Sequence, residues 1–445
     1  SLTAIASHLD RLQAAVVNPD VPMWPSIVDV RTGACPTDPP PPARVYRLIG
    51  APRGSTLYWD QPLVVAATAL ADTTDKPLYA QRAQDYTRAF LDRGVDPNGM
   101  FQWGNHAYYD VFTDDIVPFS NGYHELRPLA PAWGLLHEQA PDVTTRYIRT
   151  MARRHVYNAD TGAFNRHDDG SRGHAFLEAG GVIVHSLAWL AAATGDDDAL
   201  ELARRIARYS YDQRHPNTQL VPNEPDHGRW DANVTTTEVG LWALYLLCAA
   251  AATGDDEFAA LAGNAVRTWL EHAYDADAGR YAGQVDVATG ERVTVREHGY
   301  WPRTWADPWN TDQWPQHDYP MPLAEACLTL LARTGDDLFA DGARRWANIV
   351  MQTRPGQNDT WAYADSYGRC IHFLHRAARE LDEPELHAQA EDLAAEAVGT
   401  LYRDGMFQGY PDAGVYESVD GVGILCLALL AIETGREPHA HGLGY

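Results

Sequence analysis

The sequence predicts an all-α fold: seven helical hairpins closed into an (α/α)7 toroid, with (α/α)6 as the neighbouring solution. Three observations predict it. The tripeptide Thr-Gly-Asp recurs at 194–196, 253–255 and 334–336. The run before each copy is apolar on every side, and the run after it is amphipathic and carries arginine, so a buried helix is followed by one that covers it. Segments with period-2 alternation are nearly absent, apart from a short hairpin expected within 280–295 around Thr289-Gly290.

The tripeptide has a mechanism. Its glycine ends one helix in a left-handed turn, and its aspartate caps the next helix. Degenerate forms stand at Thr74-Asp75, Ala140-Pro141-Asp142, Leu381-Asp382-Glu383 and Thr434-Gly435. Buried helices are expected to start near Trp59, His124, Glu178, Thr237, Tyr319, Ala362 and Val419. Outer partners are expected near Lys76, Pro141, Asp197, Asp255, Asp336 and Glu383, and Leu2 to Val16 closes the ring. One toroid then spans 1–445.

Composition narrows the function. Apolar residues make up 45% of the 445, and charged ones 21%, so the chain can bury a core. The net charge of −25 argues against nucleic acid or an anionic membrane as partner, since both need a basic face. Lys76 is the only lysine, which argues against Schiff-base chemistry and leaves no Gly-Lys-Ser/Thr phosphate loop. There is no HExxH, Gly-x-Ser-x-Gly or Gly-x-Gly-x-x-Gly, which removes zincins, α/β-hydrolases and Rossmann enzymes. Of five cysteines, Cys248, Cys327, Cys370 and Cys426 fall in apolar runs, and no CxxC exists. No cofactor or metal is called for. No apolar stretch reaches membrane-spanning length uninterrupted. No signal peptide is visible at the start, and localisation stays open between secreted, periplasmic and cytoplasmic.

The connections are unequal. Turns from buried to outer helix take about four residues, as in antiparallel helix pairs. The returns are long: 17–57, 95–123, 156–177, 214–235, 275–318 and 402–417. In a toroid these all emerge at one rim, and long loops on a rigid scaffold carry function. Nine of the 18 histidines lie in or at the ends of these connections, and 275–318 holds Trp301, Trp305, Trp309 and Trp314. Rings for stacking and planar polar groups for hydroxyls are the composition of a carbohydrate cleft.

Several stretches carry candidate chemistry, each with a structural alternative. In 101–110, Asn105, His106 and Tyr108 face a sugar, or Trp103 packs the loop. Tyr123-His124-Glu125 precedes Pro128 and Pro131, which places it at a helix mouth; Glu125 either caps that helix or binds substrate, and His124 polarises a carboxylate. Asn165-Arg166-His167 combines donors and a base, or forms a loop salt-bridge network. Glu178 opens a buried helix, where a carboxylate is costly unless used or paired. Asn233 lies at the same rim, and His317, Tyr319, Tyr416 and Glu417 lead into later buried helices. In His298-Gly-Tyr-Trp-Pro-Arg303, Tyr300 is a proton shuttle tuned by Arg303 or His298, or a structural phenol.

An α/α toroid with Asn-Arg-His in one rim loop and Gly-Tyr-x-Pro-Arg in another resembles polysaccharide lyases of family 38, (α/α)7 enzymes acting on uronate polymers such as alginate and glucuronan. The resemblance implies β-elimination on an anionic polysaccharide or oligosaccharide. Asn165, Arg166 and His124 would neutralise the uronate carboxylate. Tyr300 would act as acid, and as base in a syn elimination; His167 would be the base in an anti one. His298 competes with His167 for that role. The remaining residues named above would bind sugar. A polyanion also requires the rim arginines Arg166, Arg172, Arg229, Arg296 and Arg303 to outweigh local acids. The rivals on the same toroid are a glycoside hydrolase with paired carboxylates among Glu178, Glu238, Asp365 and Glu417, a sugar epimerase using a histidine pair, and a non-catalytic carbohydrate binder.

Overall fold

The computed structural model describes residues 1–38, 51, 53–102, 107–118, 122–126, 129–225, 232–294, 304–309, 320–353 and 362–437. Among them are fourteen α-helices: α1 (Leu2–Ala14), α2 (Leu57–Thr74), α3 (Pro77–Arg93), α4 (Trp133–Gln139), α5 (Pro141–His155), α6 (Leu177–Thr194), α7 (Asp197–Asp212), α8 (Thr236–Thr253), α9 (Asp256–Ala273), α10 (Met321–Thr334), α11 (Asp337–Gln352), α12 (Ala364–Glu380), α13 (Pro384–Leu401) and α14 (Val422–Thr434). The even-numbered helices form the inner ring and the odd-numbered ones cover it. Helix α14 packs on both α12 and α2, and α1 lies against α14 and α2, so the ring closes. The fold is the α/α barrel that the repeat predicts.

The repeat acts as its chemistry requires. Gly195, Gly254 and Gly335 end α6, α8 and α10 with φ of 73°, 72° and 66°. The next residues, Asp196, Asp255 and Asp336, accept from the backbone N–H groups of Ala199, Glu257 and Leu338. Each unit is then tied to the previous one. Arg149, Arg204, Arg267 and Arg344 on outer helices donate to Asp196, Asp255, Asp336 and Glu383. The inner helices meet through glycine: a Cβ on Gly240 of α8 would stand 2.7 Å from the Leu323 nitrogen of α10, and one on Gly368 of α12 would stand 2.6 Å from the Leu425 nitrogen of α14.

All the described strands are short and lie in the outer-to-inner connections. Residues 27–29 pair with 415–417, and 233–235 with 284–286. The expected turn near Thr289-Gly290 is present: the Gly290 N–H donates to the Asp286 carbonyl at 2.8 Å, and Val285 bridges Arg292.

Two expectations need correction. The second inner helix was expected from His124, but it starts at Trp133. Pro131 cannot donate a helical hydrogen bond and keeps its predecessor from helical geometry. Side chains take over instead. Gln61 of α2 donates to the Ala130 carbonyl and accepts from the Ala132 N–H, both at 2.9 Å, and the Tyr245 hydroxyl of α8 accepts from the Ala130 N–H at 3.0 Å. Glu125 therefore caps no helix. The second correction concerns hydropathy. Helices α6 and α8 are long and apolar enough to cross a membrane, yet 78% of each is buried among other helices. All five cysteines are free; Cys327, Cys370 and Cys426 are buried, and Cys35 and Cys248 are half-buried.

Candidate active site

The short inner-to-outer turns close one end of the ring, so the inner helices present their N-termini to the rim of long connections. Residues 122–126 and the loop from α5 to α6 meet there. A bridge between Glu125 and His167, with the Leu126 N–H donating to the Arg166 carbonyl at 2.8 Å, aligns the two segments. This register brings Arg166 against Glu125, which accepts from Nη2. Arg166 also lies 3.8 Å from the Glu178 carboxylate and 4.8 Å from the centre of the Phe176 ring. Burial works against its charge, but Glu125 and Glu178 outweigh burial and hold the guanidinium above its ordinary pKa.

Behind this pair stands a buried histidine relay. His155, the last residue of α5, donates from Nδ1 to the Asn165 carbonyl at 2.9 Å. Burial lowers its pKa to about 4, so its Nε2 carries no proton at neutral pH and accepts from His124 Nδ1 at 3.0 Å. His124 is held well below its usual value by burial and by the adjacent His155 and Arg154. Asp168 accepts from the His124 N–H and pairs with Arg154 at 2.6 Å. Burial raises the Asp168 carboxyl.

Asn165 works within its own loop. Its amide donates to the Ser171 carbonyl and hydroxyl at 2.9 and 3.0 Å, and its oxygen accepts from the His167 N–H at 2.8 Å. The His167 side chain is 14% exposed, with Nε2 3.9 Å from Glu125 Oε1. The His167 ring lies 4.6 Å from that of Tyr123 and 4.9 Å from that of His174.

A row of carboxylates lies deeper. Glu178 and Glu238 stand in the first turns of α6 and α8, 3% and 1% exposed. Glu238 is fixed by two contacts: the Thr235 hydroxyl caps its N–H, and its Oε2 accepts from the Glu178 N–H at 3.0 Å. Burial and the neighbouring Glu178 push its carboxyl well above the usual range. Glu224 is buried beside His174, 3.5 Å from Nδ1. The backbone carbonyl of Asn233 accepts from the Asn223 N–H at 2.8 Å and so positions this segment. Arg166 is therefore outnumbered by carboxylates; of the other rim arginines expected to outweigh local acids, Arg172 alone is among the described residues. Arg172 is exposed, and Arg229, Arg296 and Arg303 lie outside the described residues. Among the described residues no group of three His, Cys, Asp or Glu is placed to hold a metal ion.

The structure thus brings together His124, Glu125, Asn165, Arg166, His167 and Glu178. Other sequence candidates lie in other segments or outside the described residues. Tyr416 and Glu417 are buried in the strand paired with 27–29, where the Tyr416 ring lies 5.0 Å from that of His8 on α1. Tyr108 is half-buried in a strand pairing with 115–117. Trp103, His106, His298, Tyr300, Arg303, His317 and Tyr319 lie outside the described residues. The site list read from sequence omitted His155, His174 and Glu224. His174 shares a loop with Asn165; Glu224 comes from the next long connection, where Asn223-Glu224 already reads as lying at the same rim.

The chain is similar to known proteins in part of its sequence and in its fold. Residues 55–174 match the sequence profile of the family described as periplasmic pectate lyase. A pectate disaccharide-lyase of Dickeya dadantii (strain 3937) is 23% identical over 252 residues, covering 49% of this chain and 45% of that protein. The match thus spans under half of that relative's length. Similar solved structures include a D-mannose isomerase (9% identical, 98% of each chain covered, TM-score 0.54). Others are an unsaturated glucuronyl hydrolase specific for heparin (11%, 98% of each chain, 0.52) and an α-1,6-mannanase variant of Salegentibacter sp. HEL1_6 (11%, 97% and 99%, 0.51). The structural likenesses define the α/α-barrel fold, and the sequence likenesses support an enzyme of the polysaccharide lyase kind.

Proposed function

We propose that this chain is a polysaccharide lyase that cleaves a uronic-acid polymer by β-elimination, with pectate ahead of alginate and glucuronan as substrate. One observation carries the reading. The 55–174 segment, similar to periplasmic pectate lyases, contains the cluster of His124, Glu125, Asn165, Arg166 and His167. Elimination needs a cation at the uronate carboxylate, a base at C5 and an acid at O4. In this reading Arg166 is the cation, and its guanidinium suits a planar carboxylate. His167, partly exposed beside Glu125, takes the C5 proton. His124 and Asn165 act as positioning residues, because one is buried in the histidine relay and the other staples the loop. Tyr300 keeps the role of acid that the family resemblance implies.

A second reading rests on Glu178 and Glu238. Two neighbouring carboxyls, one of them pushed up, form the acid–base pattern of a glycoside hydrolase.

One experiment separates the two. Ultraviolet absorbance is followed during incubation with pectate, alginate, glucuronan and glycosaminoglycans. The lyase reading expects the unsaturated-uronate chromophore on at least one polymer, abolished in Arg166→Ala and strongly reduced in Tyr300→Phe and His167→Gln. New reducing ends without the chromophore would replace it with hydrolysis, and Glu178→Gln and Glu238→Gln would then be the inactive variants.

A further inference from the structure

We infer that the arginine-lined cavity between the 156–164 hairpin and α7 is a second saccharide site, which holds an anionic polymer outside the candidate active site. That its ligand is a uronate polymer rests on the lyase reading above.

The cavity has a volume of about 540 Å³, within the size range of ligand pockets. Arg172, Arg205 and Arg208 line it, together with Tyr157 and Asn158. The carboxylate in its wall, Asp212, lies 3.3 Å from Arg214 Nη1 and spends its charge there. A chain of net charge −25 repels a polyanion at long range, so a local cluster of guanidiniums is where such a polymer finds a hold. Two of the three are already oriented. Arg208 donates from Nε and Nη2 to Glu257 at 2.6 and 2.7 Å, and Arg205 donates from Nη1 to the Ala159 carbonyl at 2.8 Å. Glu201 stands 3.5 Å from Arg205 Nε and 3.9 Å from Arg208 Nη1. A guanidinium carries five N–H groups, so these contacts fix both planes and leave Arg205 Nη2 and Arg208 Nη1 for a ligand.

The hairpin is shaped to the same end. Val156 pairs with Phe164 and Asn158 with Ala163, so Tyr157 is an extra residue, a bulge of the kind that re-aims a side chain. Hairpins also follow α9 and α13, where 274–275 pairs with 280–281 and 402–403 with 406–407 in unbroken register. Tyr157 is 38% exposed, one of three large apolar side chains exposed among the described residues. A ring face takes the apolar face of a sugar, and guanidiniums beside it take carboxylates. The Asn158 oxygen accepts from the Asp160 and Thr161 N–H groups at 3.1 and 3.2 Å, which leaves its amide nitrogen as a donor to hydroxyls. The wall is firm, because a Cβ on Gly162 would stand 2.4 Å from the Arg205 carbonyl carbon, so the turn rests directly on α7.

Arg172 links the cavity to the candidate active site. It follows Ser171, whose carbonyl and hydroxyl accept from the Asn165 amide, and Asn165 precedes Arg166. A polymer held at the cavity is kept beside the loop that carries Arg166. Its effective concentration at the site rises while the chemistry is untouched.

The test uses the full chain labelled with meta-fluorotyrosine. The Tyr157 fluorine signal is assigned by its loss in Tyr157→Phe and followed during titration with tetragalacturonate and with neutral maltotetraose. Fragments made by turnover keep their carboxylates, so cleavage does not silence the signal. The expected result is a saturable shift with the acidic sugar and none with the neutral one. Arg205→Gln should weaken binding about tenfold, since a hydrogen bond to a charged group is lost. Raising salt from about 0.01 M to about 1 M should also weaken it, as the Debye length falls from ~30 Å to ~3 Å. On pectate, Tyr157→Ala and Arg205→Gln should raise KM several-fold with kcat unchanged, while both constants on trigalacturonate stay as they were. Tyr157→Ala removes no hydrogen bond of the hairpin, so it carries the kinetic test if thermal unfolding shows that Arg205→Gln loosens the fold. A Tyr157 signal that ignores tetragalacturonate, or answers maltotetraose equally, would overturn the inference. A Tyr157 response without chromophore on any polymer would instead sink the lyase reading and keep the cavity as an anionic-saccharide site.

Discussion

The Arg204 guanidinium of α7 donates from Nε to the Asp255 carboxylate at 2.7 Å, and Asp255 in turn caps α9. One carboxylate thus starts a helix and joins two neighbouring hairpins. Asp196 and Asp336 do the same with Arg149 and Arg267, and Glu383 takes the ion pair without the side-chain cap. Asp255→Ala should therefore cost more than a cap alone, about 1 kcal/mol for the cap and up to ~1 kcal/mol for the ion pair. Asp255→Asn retains an acceptor and should lose only the second part. Urea unfolding of both variants measures the difference.

The same pairs set an acid limit. Hydrogen bonds from Arg149 and Arg267 hold the Asp196 and Asp336 carboxyls below their unfolded values. Their stabilising effect is present above about pH 4 and is lost as pH falls through the lowered folded values. Asp196→Asn combined with Asp336→Asn should flatten the fall in stability below that pH, read as Tm against pH.

His155 acts in a higher window. Its folded pKa of about 4 lies below the unfolded value, because burial favours the neutral ring. The stability it favours is complete above about pH 6.5 and declines as pH falls towards 4. His155→Gln should be less stable at pH 7, through loss of the bond to His124, and should show a shallower decline between pH 6.5 and 4. Chemical unfolding across that range checks both signs.

Two glycines in helices should respond in opposite ways. Gly240→Ala forces a methyl against the Leu323 backbone at 2.7 Å, and overpacking of this kind costs about 1–3 kcal/mol. Gly399 of α13 is exposed and has nothing within 4 Å of a would-be Cβ. Gly399→Ala should raise stability by up to about 1 kcal/mol. Calorimetry of the two variants tests whether the inner ring, not the outer one, limits packing.

Removing Arg166 leaves Glu125 and Glu178 buried without their shared cation. Arg166→Met should lose activity and destabilise by about 3–5 kcal/mol. Adding Glu125→Gln should recover part of the stability and none of the activity. A double-mutant cycle by denaturant unfolding, beside the chromophore assay, reads the two effects separately.

The barrel was legible because its signals are local. Helix end, turn and next cap sit within three residues of Thr-Gly-Asp, and an all-apolar run beside an amphipathic one states which helix is inside. The same locality explains the error at His124. An apolar run with two prolines reads as a helix by composition, while the bonds that hold it extended come from Gln61 and Tyr245, 69 and 115 residues from Ala130.

Site chemistry was half legible for the same reason. Asn165, Arg166 and His167 stand out as a polar cluster in one loop, but their orientations do not. Only the folded loop shows that the Asn165 amide is spent on Ser171 and that His124 is buried against His155. The sequence by itself determined the ring, its handoff from helix to helix and the rim where polar side chains gather, since these follow from propensities and caps within a few residues. Tertiary structure alone decided which carboxylates from three separate segments surround Arg166, because charge balance in a buried cluster depends on distances that no local pattern encodes.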